Sequence, residues 1–335
     1  MSIAIATTSS TAATDFRLGT AVSRDGTTIG YRQVGEGPGL ILLHGSMSSG
    51  AHHTDLARLL ADTYTVSVPD RRGRGLSGPY GNGNPLTEEL EDVAALLDAT
   101  GARNVWGLSS GADLALQAAR TMPEIEKLAV YEPAILPDRA QAAKILETFD
   151  AEMARGRIGD AMVTAMRGAE MGPRWMRALP KALLARMVRM GMAQEAKKPA
   201  GSYPSMAELA PTLHSDFTIA TASSGRLDDW RHIRADVLLM GGSRSPAFLK
   251  RALADLARVL PGARRVELAG LDHAASWNRD VRGNPEPVAV ELRRFFGTSE
   301  QLYVSRIFRP VPGSAAAGPE APRTPGRPGR TPVRP

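Results

Sequence analysis

The pentapeptide Gly107-Leu108-Ser109-Ser110-Gly111 constrains the fold of this 335-residue chain more than any other stretch. Its flanks give it meaning. Residues 104–106 (NVW) read as a short buried strand, and residues 112–120 (ADLALQAAR) read as a helix rich in alanine and leucine. A serine on so sharp a strand-to-helix turn holds strained backbone angles and presents its Oγ outward. Glycine on both sides leaves room for the turn. The pentapeptide alone is common. Between a strand and a helix, it asks the rest of the chain for a base, an acid and a pair of N–H donors.

The surrounding pattern supplies the frame for such a turn. Residues 1–15 are rich in Ser, Thr and Ala and are expected to be disordered. Residues 17–33 carry two strand-like runs around Arg24-Asp25-Gly26, which predicts a hairpin. Short apolar runs then alternate with helical ones. Residues 40–43, 64–68, 104–106 and 127–131 read as strands, and 55–61 and 86–99 as helices, the latter with Thr87 as N-cap. The alternation predicts the α/β class, with a mostly parallel sheet covered by helices on both faces.

After Pro133 the alternation stops. Residues 135–232 are helical in pattern, rich in Met and Arg and broken by prolines, and predict a helical cap insertion. Strand character returns at 237–240 and 264–268, and helices are predicted at 246–260 and 285–296. The core is thus assigned to residues 16–134 and 233–298. Eight of the 24 prolines fall in 310–335, so residues 309–335 are expected to form a disordered Pro/Arg-rich tail.

Composition narrows the function classes. The chain has no cysteine, which excludes disulfides, thiolate metal sites and a cysteine nucleophile. No apolar run approaches the ~20 residues needed to cross a bilayer. The N-terminus has no basic segment before its four-residue apolar run, so a signal peptide is not expected and a cytoplasmic protein is. The net charge of +6 is mostly a tail property: residues 304–335 hold six arginines against one acid, Glu320. The rest is near neutral, which argues against nucleic-acid binding by the folded part.

Four segments, in chain order, resemble the α/β-hydrolase-fold superfamily in its capped esterase- or lipase-like form. They are Leu42-Leu43-His44-Gly45, Asp70-Arg71-Arg72-Gly73-Arg74-Gly75-Leu76-Ser77, Gly107-Leu108-Ser109-Ser110-Gly111 and Gly270-Leu271-Asp272-His273. The second satisfies D-x-R-G-x-G-x-S at each fixed position. The resemblance covers about residues 17–135 and 235–297. It implies an α/β-hydrolase core with a helical cap, a small-molecule substrate, no cofactor, and cleavage of a carboxylic ester or related acyl compound through an acyl-enzyme.

The residues can be weighed in the same terms. A serine hydroxyl is a weak nucleophile and needs a base to take its proton. Ser109 is the candidate nucleophile. His273, in a loop after a predicted strand, is the candidate base, and neutral imidazole suits proton transfer near neutral pH. Of the other histidines, His44 belongs to the His-Gly turn, His52 and His53 sit at a helix start, and His214 and His232 lie in or beside the insertion. The oxyanion hole needs two N–H donors. Ser110 at the elbow and Ser46 after His44-Gly45 are expected to supply them, with Met47 as the competing donor.

The acid departs from the usual pattern. Most of the family places an aspartate after the strand that is 237–240 here, but the loop Gly241-Gly242-Ser243-Arg244-Ser245-Pro246 has no carboxylate. Glu132, at the carboxyl end of the strand 127–131, is the expected acid. Some subfamilies, including one group of haloalkane dehalogenases, use a glutamate at this site. Asp272, Asp228 and Asp229 are the alternatives. With no carboxylate in reach of His273, the alternative reading is a non-hydrolytic small-molecule binder with a degenerate triad.

Other features are read more plainly. Asp113, in the first turn of the elbow helix, is expected to be structural and favoured by the helix dipole. Asp70 and Arg72 are expected to brace a loop. Residues 73–78 fit G-x-G-x-x-G, but they run into Pro79-Tyr80-Gly81-Asn82-Gly83-Asn84-Pro85 rather than a helix, so no dinucleotide site is expected. No metal-binding motif is present. Methionines of the insertion are read as core residues first and pocket lining second.

Overall fold

The computed structural model describes residues 15–297, apart from 173, 198 and 200. Except for Asp15, the N-terminal stretch expected to be disordered lies outside the described residues, as does the Pro/Arg-rich tail.

Eight strands form one sheet: β1 (Arg17–Val22), β2 (Thr28–Val34), β3 (Gly39–Leu43), β4 (Thr65–Pro69), β5 (Asn104–Leu108), β6 (Lys127–Tyr131), β7 (Asp236–Gly242) and β8 (Arg264–Leu268). Their order is β1-β2-β4-β3-β5-β6-β7-β8. The hairpin β1–β2 and the β2–β4 pair are antiparallel, and every later pair is parallel. The order reverses between β3 and β5. Such a switch point opens a crevice beyond the carboxyl ends of its two strands.

The helices are α1 (Thr54–Leu60), α2 (Pro85–Thr100), α3 (Ser110–Thr121), α4 (Arg139–Ala154), α5 (Ile158–Gly168), α6 (Arg174–Arg177), α7 (Lys181–Glu195), α8 (Met206–Leu209), α9 (Leu213–Ser223), α10 (Ala247–Val259) and α11 (Pro285–Phe296). Strand side chains alternate between faces. Ile41, Leu43, Val105, Leu128, Val130 and Leu239 point into one apolar layer with α2, α3 and α10. Leu40, Leu42, Val66, Trp106, Ala129 and Met240 point into the other with α1 and α11. Both faces are covered, which is why the central strands read as unbroken apolar runs. Between β6 and β7 the chain forms α4 to α9. Two small apolar clusters hold these helices together, one around Phe149, Ala161 and Leu213 and one around Val163 and Leu184.

Helix α2 begins earlier than its sequence suggests. Asn84, not Thr87, is the N-cap: its side chain accepts from the N–H groups of Leu86 and Thr87. Pro85 takes the first helical position, where its missing N–H costs nothing and its fixed φ suits the helix.

The turn between β5 and α3 is closely packed. A Cβ on Gly111 would lie 2.4 Å from the His44 carbonyl oxygen and 2.5 Å from that of Leu43. Both are backbone atoms of the β3 end and cannot move aside cheaply. Gly111→Ala is therefore expected to lower unfolding free energy by about 1–3 kcal/mol or more, read as a fall in the urea midpoint. An unchanged midpoint would show that the β3–α3 contact is looser than described.

Candidate active site

Three corners of the site carry strained backbone. Met47 has φ 52°, Ser109 φ 55° and Glu132 φ 50°, all positive without being glycine. Each costs of order 1–3 kcal/mol and persists only where the surroundings over-determine it. They follow β3, β5 and β6, on both sides of the switch point. Ser109 is the N-cap of α3, and its N–H donates to the Tyr131 carbonyl at the end of β6 at 3.0 Å. The elbow is thus fastened to the neighbouring strand.

The two adjacent serines have different surroundings. The Ser110 hydroxyl donates to Asp216 Oδ1 at 2.8 Å. It also accepts from Arg71 Nη1 at 2.9 Å and from Ser46 Oγ at 3.2 Å. One donor and two acceptor sites exhaust a hydroxyl, so Ser110 Oγ is locked. Ser109 is half-buried and lines the cavity described below. The Ser110 N–H sits at the first position of α3, where it has no intrahelical acceptor. Ser46 faces it across the cavity floor, through the hydroxyl contact.

His273 is held by Glu132. Its Nδ1 lies 2.7 Å from Glu132 Oε2, and the glutamate is fully buried. The other carboxylate oxygen accepts the Gly242 N–H at 2.6 Å. The glycines that end β7 now have a reason. A Cβ on Gly241 would stand 3.1 Å from Glu132 Oε1, and one on Gly242 would stand 2.3 Å from the Leu271 carbonyl oxygen. The end of β7, which has no carboxylate, leaves the space that a carboxylate from the end of the neighbouring strand β6 fills. The histidine loop is pinned as well, with Tyr131 Oη donating to the Asp272 carbonyl at 2.9 Å and the Arg244 N–H to that of Leu271 at 2.8 Å.

The alternatives for the acid lie elsewhere. Asp272 uses its carboxylate on the Ala274 N–H, and Asp228 and Asp229 pair with Arg231 and Arg226 on exposed surface. Three of the other histidines are engaged elsewhere. His44 Nδ1 donates to the Gly45 carbonyl, and its Nε2 accepts the Arg71 N–H at 3.0 Å. Burial, with the charges of Arg74 and Arg71, holds it well below the usual histidine range. Burial pushes His53 down to about 3. His214 has a carboxylate partner, Asp150, but both are solvent-exposed and neither lines the cavity.

A cavity of about 390 Å³ lies over Ser109 and His273. Its floor is Gly45, Ser46, Leu108, Ser109 and Ser110, and its walls come largely from the helices between β6 and β7. Met162, Met166, Met171 and Met206 are in the wall, and Met162 and Met166 also pack against the two small apolar clusters, so for these two the core and pocket-lining readings both hold. Met187 and Met190 are exposed instead.

Beneath the floor is a buried ionic cluster that sequence reasoning missed. Arg71 makes a fork with Glu89 at 2.5 and 2.8 Å and reaches Asp216 Oδ1 at 2.9 Å, while Arg74 reaches Asp216 Oδ2 at 2.7 Å. Burial opposes the Arg71 charge, and Glu89 and Asp216 more than offset it. Burial likewise opposes the Asp216 charge, and Arg74 and Arg71 hold its carboxyl below the usual range. Asp70 and Arg72 brace the loop, as expected. Asp70 accepts from the Gly50 and Leu76 N–H groups and from Arg32, and Arg72 pairs with Asp25 and Asp92. The loop 73–78 closes on itself, the Gly73 N–H donating to the Gly78 carbonyl, and does not open a helix.

The sequence matches the profile of the alpha/beta hydrolase family over residues 40–291. The chain belongs to this family. A structure of an alpha/beta hydrolase from Sphaerobacter thermophilus is 32% identical, with a TM-score of 0.65, covering 83% of this chain and 100% of that one. A curated relative, 2-(acetamidomethylene)succinate hydrolase from Mesorhizobium japonicum, is 27% identical over 73% of this chain and 85% of its own length. The enol-lactonase from Burkholderia xenovorans shares the fold at 18% identity, with a TM-score of 0.60, covering 84% of this chain and 100% of its own. These similarities place this alpha/beta hydrolase family chain among hydrolases.

Two expectations follow from the buried groups. Removing one partner of a buried ion pair leaves the other uncompensated, so Asp216→Ala is expected to cost about 3–5 kcal/mol of stability by chemical denaturation. A loss below about 1 kcal/mol would show that water replaces the carboxylate. Asp113, buried in α3, is pushed up to about 8 by desolvation, with the Ala134 amide and the Arg71 charge pulling it back in part. The helix dipole invoked from sequence loses to burial. The folded state therefore holds this proton more tightly than the unfolded chain. The stability this contributes is present at low pH and lost as pH rises toward 8. The wild-type stability, taken relative to Asp113→Asn, is expected to fall by about 1 kcal/mol per pH unit between about pH 5 and about pH 8. Parallel pH profiles of the two proteins would refute this.

Proposed function

We propose that this chain is a serine hydrolase that cleaves a carboxylic ester, or a related acyl substrate, through an acyl-enzyme. The observation that carries this reading is the 2.7 Å contact between Glu132 and His273, with Ser109 on a strained elbow in the same cavity. A carboxylate on Nδ1 orients the ring, leaves Nε2 as the base and stabilises the imidazolium that forms. The contact also argues against the degenerate-triad binder, which has no use for a buried charge paired with a loop histidine.

The steps follow from the groups present. Ser109 Oγ attacks the acyl carbon while His273 Nε2 takes its proton. The tetrahedral oxyanion is received by the Ser110 and Ser46 N–H groups. The carbon–oxygen bond to the leaving alcohol breaks, and His273 returns the proton to that oxygen. Water, deprotonated by the same nitrogen, then releases the acid and frees Ser109. The helices between β6 and β7 act as a cap that walls the acyl pocket. Similar chains named a methyl ester esterase and a 2-(acetamidomethylene)succinate hydrolase support the hydrolase reading.

A fluorophosphonate probe followed by peptide mass spectrometry tests this. A single adduct on Ser109 is expected, absent in Ser109→Ala. Glu132→Gln is expected to slow labelling and ester turnover by about 10²–10⁴-fold while the fold is retained. No adduct on folded wild-type protein would sink the hydrolase reading.

A further inference from the structure

We propose that the site takes a neutral, apolar acyl group and discriminates against acyl groups that carry a carboxylate of their own. This rests on the reading of Ser109 as the acyl acceptor and names its substrate class. The cavity is lined mainly by aliphatic, thioether and aromatic side chains, with Ile145, Met162, Met166, Leu213 and Phe217 typical of its wall. Among the described lining residues the only titratable side chains are His273 and Asp216, and there is no lysine or arginine.

The cations behind Asp216 are already paired with carboxylates. Arg71 and Arg74 sit behind Asp216, outside the cavity wall, with both oxygens of that carboxylate and both of Glu89 already on their guanidinium groups. A substrate carboxylate entering the cavity thus loses its water, finds no cation among the wall residues, where Thr221 Oγ1 and Trp277 Nε1 are neutral donors without a partner, and meets an ionised Asp216. A methylene in the same place gains burial against methionine and leucine. Asp216 is in this respect a specificity-determining residue. Its charge is fixed by groups beneath the floor, and its position by the helix α9 that carries it.

The test is a comparison of p-nitrophenyl esters on the wild-type protein. From acetyl through butyryl and hexanoyl to octanoyl, kcat/KM is expected to rise roughly threefold per added methylene until the cavity is full. The mono-p-nitrophenyl ester of suberic acid, which is the octanoyl ester ending in a carboxylate, is expected to be about 10²-fold poorer than the octanoyl ester. Asp216→Asn, where it folds, is expected to narrow that gap about tenfold. Equal or better turnover of the suberyl ester by wild type would overturn the proposal and leave the hydrolase reading intact. If neither ester is turned over, binding of methyl octanoate and monomethyl suberate to wild type by calorimetry decides. Tighter binding of methyl octanoate would keep the pocket assignment and discard the hydrolase reading. Equal or tighter binding of monomethyl suberate would discard the pocket assignment as well.

Discussion

The buried guanidinium of Arg71 ties together the parts of the molecule that make the site. It reaches Glu89 on α2, the Ser110 hydroxyl on α3, the His44 carbonyl after β3 and Asp216 on α9. A fixed fork of five donors suits this role, and a lysine would not fill it. The charges balance only when the helical insertion is seated, because Asp216 comes from that insertion. Helix α9, the elbow and the His-Gly loop are thereby made to form together. Without Asp216, Arg71 and Arg74 would face the cavity floor with one carboxylate between them.

The second constraint is strain. Met47, Ser109 and Glu132 each turn the chain sharply at the end of a parallel strand, with no glycine to ease it. A parallel sheet covered on both faces can bear this cost because its strand ends are fixed from two sides. Ser109 is tied to Tyr131, and Glu132 donates its N–H to Met240. The effect is to bring three side chains from the ends of β3, β5 and β6 to one crevice at the switch point. Precision there comes from the sheet, not from the loops themselves.

The glutamate's position follows from the same geometry. β6 and β7 are neighbours, paired from Lys127 with Asp236 to Tyr131 with Met240. A side chain leaving the end of β6 can therefore occupy the space above β7, provided that β7 ends in residues without side chains. Gly241 and Gly242 meet that condition, and the Gly242 N–H adds a donor that an aspartate at this position would not need. The absence of a carboxylate after β7 and the two glycines that end it fit together.

Much of this protein was written locally. The elbow pentapeptide, the strand–helix alternation, the hairpin and the approximate limits of the helical insertion are short-range patterns, set by side-chain periodicity and by where glycine and proline fall. Ser109 and His273 could be named as candidates because their motifs are contiguous. Glu132 could be preferred over Asp272, Asp228 and Asp229 from its place at a strand end, but only the adjacency of β6 and β7 and the path of the loop after β8 bring it to 2.7 Å from His273. The Arg71–Glu89–Asp216 cluster was not legible at all. Its members lie 18 and 145 residues apart, and charges so separated look like solvated surface until packing removes the water. Which methionines face the cavity was hidden for the same reason: helical spacing names a face, but only tertiary packing decides whether that face meets another helix or an open pocket.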